Sequence, residues 1–167
     1  MAHLHRSVAA LRIVGEDLIP EAITKLLGCE PTHSKTKGQV VRVNNAGRER
    51  IIKSGMWLLE ATDSEPGNLD KQVAELIGKL TQDLKVWAFL LQQFRIDLYC
   101  GLFMDESNEG VSLSTETLQA LGQRGIELGL DIYGPTQELN SADPCPCGSG
   151  KVYGECCFPK SQVIHPK

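Results

Sequence analysis

The stretch Ile96-Asp-Leu-Tyr-Cys-Gly-Leu-Phe-Met104 has the clearest period-two pattern in the chain. An apolar side chain recurs at every second position, and the residues between them are Asp97, Tyr99, Gly101 and Phe103. Because successive side chains of a β-strand point to opposite faces, this pattern predicts a half-buried strand. It also places Cys100 among the inward-facing residues. We therefore interpret Cys100 as a core residue rather than a nucleophile.

The residues before this strand predict helical structure. Apolar side chains recur at helical spacing at Leu69, Val73, Leu76, Ile77, Leu80 and Leu84. The stripe continues as Trp87, Leu90, Leu91 and Phe94, after a possible kink near Asp83. This spacing is typical of an amphipathic helix, and it fits one long helix or two in series. The preceding segment, Asp63-Ser-Glu-Pro-Gly-Asn68, has the composition of a turn.

The N-terminal part predicts a strand followed by a helix. Residues Ser7 to Gly15 are rich in apolar and β-branched side chains, which favour a strand. A helix with Pro20 in its first turn should end at Gly28. We interpret Cys29, just past that end, as a small packed residue.

The next segment predicts a hairpin and a long strand. A short strand at 39–43 precedes the Asn-Asn-Ala-Gly turn signal at 44–47. A strand from Arg50 to Thr62 follows, with a possible bulge or bend at Gly55. A tryptophan within a strand is typical of core packing, so we expect Trp57 to be buried. Glu30, Thr32, His33 and Ser34 form a polar cluster, which we interpret as a capped surface loop.

The residues after the opening stretch predict a second hairpin, a helix and a last strand. An acidic turn at Asp105–Gly110 should return the chain at 111–114 to pair with the strand before it. A short helix capped by Ser114 or Thr115 should end near Gly125. The last strand should run from Ile126 to Tyr133. Residues 1–134 therefore predict an α+β body, a single mostly antiparallel sheet with helices packed on one face.

Charge and composition narrow the partner class. The chain has 41% apolar and 23% charged residues, which is typical of a globular protein. Its net charge is −4 and only 5% of its residues are aromatic. An acidic chain without a basic stripe argues against nucleic acid as the main partner. The sequence has no strong membrane signal either, since no apolar run approaches the length of a membrane span.

Four of the six cysteines lie near the C-terminal end, in Asp143-Pro-Cys-Pro-Cys-Gly-Ser-Gly-Lys-Val-Tyr-Gly-Glu-Cys-Cys-Phe158. A structural zinc ion takes four soft ligands in a tetrahedron, and two close pairs supply them readily. Gly148 and Gly150 should permit the tight turns between the pairs, and Ser149 could cap a short helix. The pattern predicts a small zinc-binding module at 143–160. It follows a polar linker at 135–142 and precedes a tail at 161–167.

Disulfide or redox use is the alternative for these cysteines. A bond between adjacent Cys156 and Cys157 would be strained, and Cys145-x-Cys147 would close a very small ring. The first residues do not have the pattern of a signal peptide, so we expect a reducing cytoplasm. Clustered cysteines in that compartment favour a metal site.

The cysteine spacing together with Gly-Ser-Gly-Lys-x-Tyr resembles the SEC-C motif, the zinc-binding tail of the SecA translocation motor and of other bacterial proteins. The resemblance implies that Cys145, Cys147, Cys156 and Cys157 bind one structural zinc ion. It also implies a docking tail, because such tails contact a chaperone, the ribosome or anionic lipid. The candidate docking residues are Lys151, Tyr153 and Lys160.

Residues 8–134 resemble a bacterial family of domains of unknown function, number 4279, through element order and the Gly-Met-Trp-Leu-Leu and Ile-Asp-Leu-Tyr strand sequences. That resemblance implies no reaction. The main hypothesis is therefore a cytoplasmic binding or adaptor protein whose zinc tail docks on a protein partner, such as a chaperone, the ribosome or the translocation machinery. The alternatives are a ligand-binding or enzymatic body around His33 and Trp57, and an immunity-type protein that neutralises a toxin.

Overall fold

The computed structural model describes residues 3–42, 49–135, 141–145 and 147–157. They fall into two compact units, divided between Pro135 and Thr136. The strands of the first unit are β1 (Arg6–Gly15), β2 (His33–Lys35), β3 (Val40–Arg42), β4 (Glu49–Ile51), β5 (Gly55–Glu60), β6 (Arg95–Phe103) and β7 (Glu127–Tyr133). Its helices are α1 (Pro20–Leu27), α2 (Leu69–Gly78), α3 (Leu84–Leu91) and α4 (Thr115–Gln123).

The main sheet has five strands in the order β2-β5-β1-β6-β7. Strand β1 lies at its centre, and Leu11 is opposite both Leu59 of β5 and Leu98 of β6. Every pairing in this sheet is antiparallel except that of β6 with β7, which is parallel. The predicted fold class, an α+β body with a mostly antiparallel sheet, is confirmed. A separate two-stranded sheet joins β3 and β4.

One face of the main sheet carries the hydrophobic core. Leu11, Ile13, Trp57 and Cys100 all point to this face and are essentially inaccessible to solvent. Helices α1, α2 and α4 contact the sheet, and their inward residues belong to the same core. Burial raises the pKa of the Cys100 thiol to about 12, which keeps it protonated at neutral pH. The prediction that Cys100 is a core residue is confirmed.

A buried polar network fastens α2 to β1. The Ser7 hydroxyl donates a 2.7 Å hydrogen bond to Gln72 Oε1. The Gln72 amide nitrogen donates in turn to the carbonyl oxygens of Ser7 and Thr62, at 3.1 and 2.9 Å. Both side chains are fully buried, so each polar group needs these partners.

We expect Gln72→Leu to lower the free energy of unfolding by about 2–3 kcal/mol, because it leaves the buried hydroxyl and carbonyls of the network without their partner. Urea unfolding followed by circular dichroism measures this change. Gln93→Leu is the matched control, since Gln93 is exposed and the change removes no buried partner. Equal stability of both variants would contradict the assignment of a structural role to the network.

The long apolar stripe forms two helices. Thr81 lies between α2 and α3 and donates its backbone N–H to Leu27 O at 2.9 Å, so the chain leaves the helical hydrogen-bonding pattern there. The Asp83 side chain then accepts from Lys85 N at 2.9 Å and caps α3. The predicted kink near Asp83 is thus the start of a second helix. In the described residues no helix is both long and apolar enough to cross a lipid bilayer.

The prediction of a single strand from Arg50 to Thr62 is wrong. The structure divides it into β4, which pairs with β3, and β5, which joins the main sheet. Ile52 stays with the small sheet, because its N–H donates to Gln39 O at 2.9 Å. Gly55 then begins β5 beside Leu18, whose carbonyl oxygen leaves no room for a Cβ. The Asn-Asn-Ala-Gly turn lies outside the described residues.

The predicted hairpin after β6 is also wrong. Residues 111–114 form no strand, and the chain continues into α4 before β7 returns parallel to β6. Ser114 explains the difference, since its N–H donates to Asp70 Oδ1 at 3.0 Å while its hydroxyl oxygen accepts from Thr117 N. These bonds make Ser114 the N-terminal cap of α4, so residues 111–114 lead into the helix instead of pairing with β6. In the acidic turn, the Glu109 carboxylate accepts from the backbone N–H groups of Asp105 and Glu106.

Candidate metal centre

The second unit is built around a tight turn. Pro144 and Val152 form an antiparallel bridge, and Cys145 N donates to Lys151 O at 2.9 Å. Gly148 and Gly150 have φ values of 74° and 72°, in the left-handed region that glycine adopts without strain. The predicted need for glycine at both positions is confirmed. The turn brings the two ends of the cysteine-containing stretch together.

A one-turn helix, α5 (Tyr153–Cys156), carries the second cysteine pair. It begins after Val152, so the prediction that Ser149 caps this helix is wrong. Tyr153 N donates instead to Asp143 O at 2.7 Å, which anchors the start of the helix to the residues before the turn. The Ser149 hydroxyl lies 3.3 Å from Cys156 Sγ, so this side chain supports the cysteine cluster.

Four sulfur atoms converge at the end of this turn. The Sγ atoms of Cys145, Cys147, Cys156 and Cys157 all lie within 4.8 Å of one another. Neighbouring sulfurs are 3.2 Å apart for Cys145 and Cys147, and 3.4 Å apart for Cys147 and Cys156. A tetrahedron of thiolates about 2.3 Å from a zinc ion places its sulfurs about 3.8 Å apart. The four thiols are unbridged and fit a metal site with only small movements.

Hydrogen bonds within the cluster separate the acidities of its thiols. Bonds from the Ser149 hydroxyl, then from Cys145 and the Ser149 backbone N–H, lower the pKa of Cys147 to about 6. The glycine-containing turn thus directs the Ser149 peptide N–H at the Cys147 sulfur. Hydrogen bonds to Cys145, Cys147 and Cys156 raise the pKa of Cys157 to about 12. A soft divalent cation held by the cluster would be bound by deprotonated sulfurs.

Two of the three candidate docking residues, Lys151 and Tyr153, lie between the two cysteine pairs in the chain. Lys151 is exposed and Tyr153 is half-buried, while Lys160 lies outside the described residues. Sequence reasoning missed Val152, an exposed apolar side chain between them. Its signal was a β-branched residue in an otherwise polar turn. Lys151 and Val152 thus give the turn a cationic and an apolar contact point.

The structure does not bring His33 and Trp57 together. Trp57 is fully buried on the core face, where its Nε1–H donates to Thr24 Oγ1 at 3.1 Å. His33 is exposed in edge strand β2, opposite Leu58, and therefore points to the other face. The prediction of a surface loop is wrong for His33 and Ser34, because their backbones pair with β5. The expectation that Trp57 is buried is confirmed.

The face of the sheet opposite the core holds an open cleft of about 400 Å³. Its floor is apolar, and two of its charged residues form ion pairs, Arg12 with Asp97 and Asp63 with Arg6. Arg12 Nε donates to Asp97 Oδ1 at 2.6 Å, and its guanidinium lies 4.6 Å from the centre of the Tyr99 ring. This bond raises the pKa of Arg12. The residues lining the cleft are Val8, Ala9, Ala10, Arg12, Leu58, Glu60, Ala61, Asp63 and Tyr99.

Fold and cysteine cluster together define an α+β body followed by a small cysteine-rich module. The family model described as Domain of unknown function (DUF4279) matches residues 3–135. The model described as SEC-C motif matches residues 142–159. The chain therefore belongs to the DUF4279 family and carries a C-terminal SEC-C motif.

One curated relative carries a functional name. The protein translocase subunit SecA of Helicobacter acinonychis (strain Sheeba) is 29% identical over 131 residues, which cover 69% of this chain and 15% of SecA. The chain thus spans far less than two thirds of that relative. No solved structure matches the chain.

Proposed function

We propose that this chain is an adaptor-type binding protein, in which one zinc ion organises a small docking module. The observation that carries the proposal is the convergence of four thiols within 4.8 Å at the end of one turn. Four cysteine ligands fill a tetrahedral coordination shell and leave no open position for water, so the zinc would be structural. The ligands would be Cys145, Cys147, Cys156 and Cys157.

The proposed organisation has a body at 1–134, a linker at 135–142, the zinc module at 143–160 and a tail at 161–167. The body would bind one partner while the module docks on another. We place the protein in a bacterial cytoplasm, because the resemblance of the tail is to bacterial proteins and all six cysteines are unbridged. The partners that the SEC-C resemblance suggests are a chaperone, the ribosome or the translocation machinery.

The module would have little net charge, so its docking surface would consist of a few individual groups rather than a large charged patch. Asp143 and Glu155 offset most of the positive charge of the lysines after residue 140, and four thiolates around Zn²⁺ add two negative charges. A partner would therefore recognise particular groups, with Lys151 and Tyr153 nearest to the cysteine cluster. Val152 would add an apolar contact.

Lys151→Glu is expected to remove partners that bind through the zinc module. The variant reverses the charge of an exposed side chain and leaves all four cysteines in place. Affinity capture from a bacterial lysate, followed by mass spectrometry, would compare it with the unchanged chain. Lys53→Glu is the matched control, since it makes the same charge reversal at an exposed lysine of the body.

Deleting residues 141–167 should remove the same partners. A partner lost in both Lys151→Glu and the deletion, and kept in Lys53→Glu, supports docking through the module. An unchanged set of partners after the deletion would contradict it.

The open cleft favours a second candidate function, the binding of a ligand or peptide by the body. It combines an apolar floor with the paired charges of Arg12 and Asp97. This candidate replaces the site expected around His33 and Trp57, whose side chains lie on opposite faces. The deletion experiment separates the two functions, because partners that depend on the cleft remain when residues 141–167 are absent.

A further inference from the structure

The two edges of the main sheet differ in how they avoid pairing with other chains. Edge strand β2 has three residues, all exposed and polar, and one of them is Lys35. A short edge with a lysine is a common protection against pairing. The opposite edge, β7, is seven residues long and lacks lysine and proline. It exposes Leu130 and Ile132 at 42% and 65% of their surfaces.

The outward backbone groups of β7 follow from its pairing with β6. Tyr133 O accepts a 2.9 Å hydrogen bond from Met104 N, so Tyr133 directs its backbone groups toward β6. Residues of a parallel strand alternate in the side to which their N–H and C=O groups point. Leu128, Leu130 and Ile132 therefore direct theirs away from the sheet. Their side chains lie on the core face, because Leu128 is paired with the core residue Leu98.

We propose that two copies of this chain pair through β7, antiparallel across a twofold axis that passes beside Leu130. In this register Leu130 faces its counterpart, and Leu128 faces Ile132 of the second copy. Each outward N–H and C=O of these residues then gains a hydrogen-bond partner. The exposed parts of Leu130 and Ile132 come together in one continuous apolar strip. Such an interface is self-complementary, as a twofold dimer requires.

Charge selects this register over its neighbours. Centring the pair on Leu130 sets Asp131 opposite Gly129 and Glu127 opposite Tyr133. A shift that centres it on Gly129 would set Glu127 opposite Asp131, and a shift to Asp131 would set two aspartates against each other. Like charges directly opposite on neighbouring strands are destabilising. Of these three registers, only the one centred on Leu130 is free of such pairs.

The charged side chains of β7 already have partners on β6. The Tyr99 hydroxyl donates to Asp131 Oδ2 at 2.6 Å, and Arg95 lies 3.4 Å from Glu127. The Tyr133 ring stacks on Phe103 with centroids 4.8 Å apart. Dimerisation along β7 therefore leaves these contacts in place. No charge on this face loses its partner when the second copy binds.

Analytical ultracentrifugation of the zinc-loaded full chain over a range of concentrations tests the proposal. We expect a monomer–dimer equilibrium whose dissociation constant rises at least about tenfold in Ile132→Lys, because lysine on a strand edge opposes pairing. Ile19→Lys is the matched control, since Ile19 has a similar exposure of 58% outside the sheet edge. A monomer at all concentrations, or a dimer unaffected by Ile132→Lys, would overturn the proposal.

Crosslinking tests the register. A cysteine introduced by Leu130→Cys would face its counterpart, with Cα atoms about 5.5 Å apart. Cysteines introduced by Ile132→Cys would be offset by four residues, about 14 Å along the strands. A short thiol-to-thiol crosslinker should therefore join two copies of Leu130→Cys and not two copies of Ile132→Cys, with the unchanged chain as background for native cysteines. Links mapped by mass spectrometry to position 132 alone, or to neither position, would overturn this register.

Discussion

Replacing Trp57 with alanine is expected to lower the free energy of unfolding of the body by about 3–5 kcal/mol. Trp57 is fully buried on the core face of β5, beside α1, so its removal leaves a large cavity in the core. The change also removes the hydrogen bond that its Nε1–H donates to Thr24 Oγ1. Urea unfolding measured by circular dichroism gives the difference between the variant and the unchanged chain.

Trp57→Phe separates packing from hydrogen bonding at the same position. The phenyl ring fills most of the space and leaves Thr24 without its donor, so we expect a loss of about 1–2 kcal/mol. A loss below about 1 kcal/mol for Trp57→Ala would contradict the core position. It would instead favour the ligand-binding role that the sequence also allowed for this residue.

Removal of the metal is expected to unfold the C-terminal module and to leave the body folded. Among the described residues of the module, Cys145 is the only buried one, so these residues form no hydrophobic core of their own. A segment that buries so little apolar surface cannot offset its loss of conformational entropy without metal binding. Chelation, or the variant Cys156→Ser, should make 141–157 rapidly cleavable by protease. The urea midpoint of the body should stay unchanged.

Cys29→Ser is the control for this experiment. Cys29 lies outside the cluster and packs partly against the core of the body, so this variant should retain its metal and a protected module. If chelation unfolded the body together with the module, that result would contradict the two-part organisation. A module that stays protected without metal would contradict the folding role of zinc.

The sequence predicts the central strands well because their signal is local. Alternation in residues 96–104 determines which side chains of β6 lie on the core face, and the structure confirms Cys100 there. It does not predict that Asp97, on the other face, is also buried. The cysteine cluster can also be predicted from the sequence, since all four thiols lie between residues 145 and 157. Gly148 and Gly150 mark the turn that brings them together. In each case neighbouring residues suffice to specify the geometry.

The sequence does not predict features that depend on distant partners. Residues 33–35 are polar, and they become strand β2 only because β5 offers an edge for pairing. The parallel position of β7 follows from α4, which Ser114 begins through its bond to Asp70. The ion pair between Arg12 and Asp97 in the open cleft joins strands that lie far apart in the chain. Such pairings are set by tertiary packing rather than by local patterns.

The most direct test of the account is the metal content and coordination of the purified, untagged full chain. We expect one zinc per chain, lost in both Cys156→Ser and Cys157→Ser while the body stays folded. The cobalt-substituted protein should have the absorption spectrum of a tetrahedral site with four thiolate ligands. A chain without bound metal, or a cobalt spectrum with fewer than four sulfurs, would contradict the proposed zinc module.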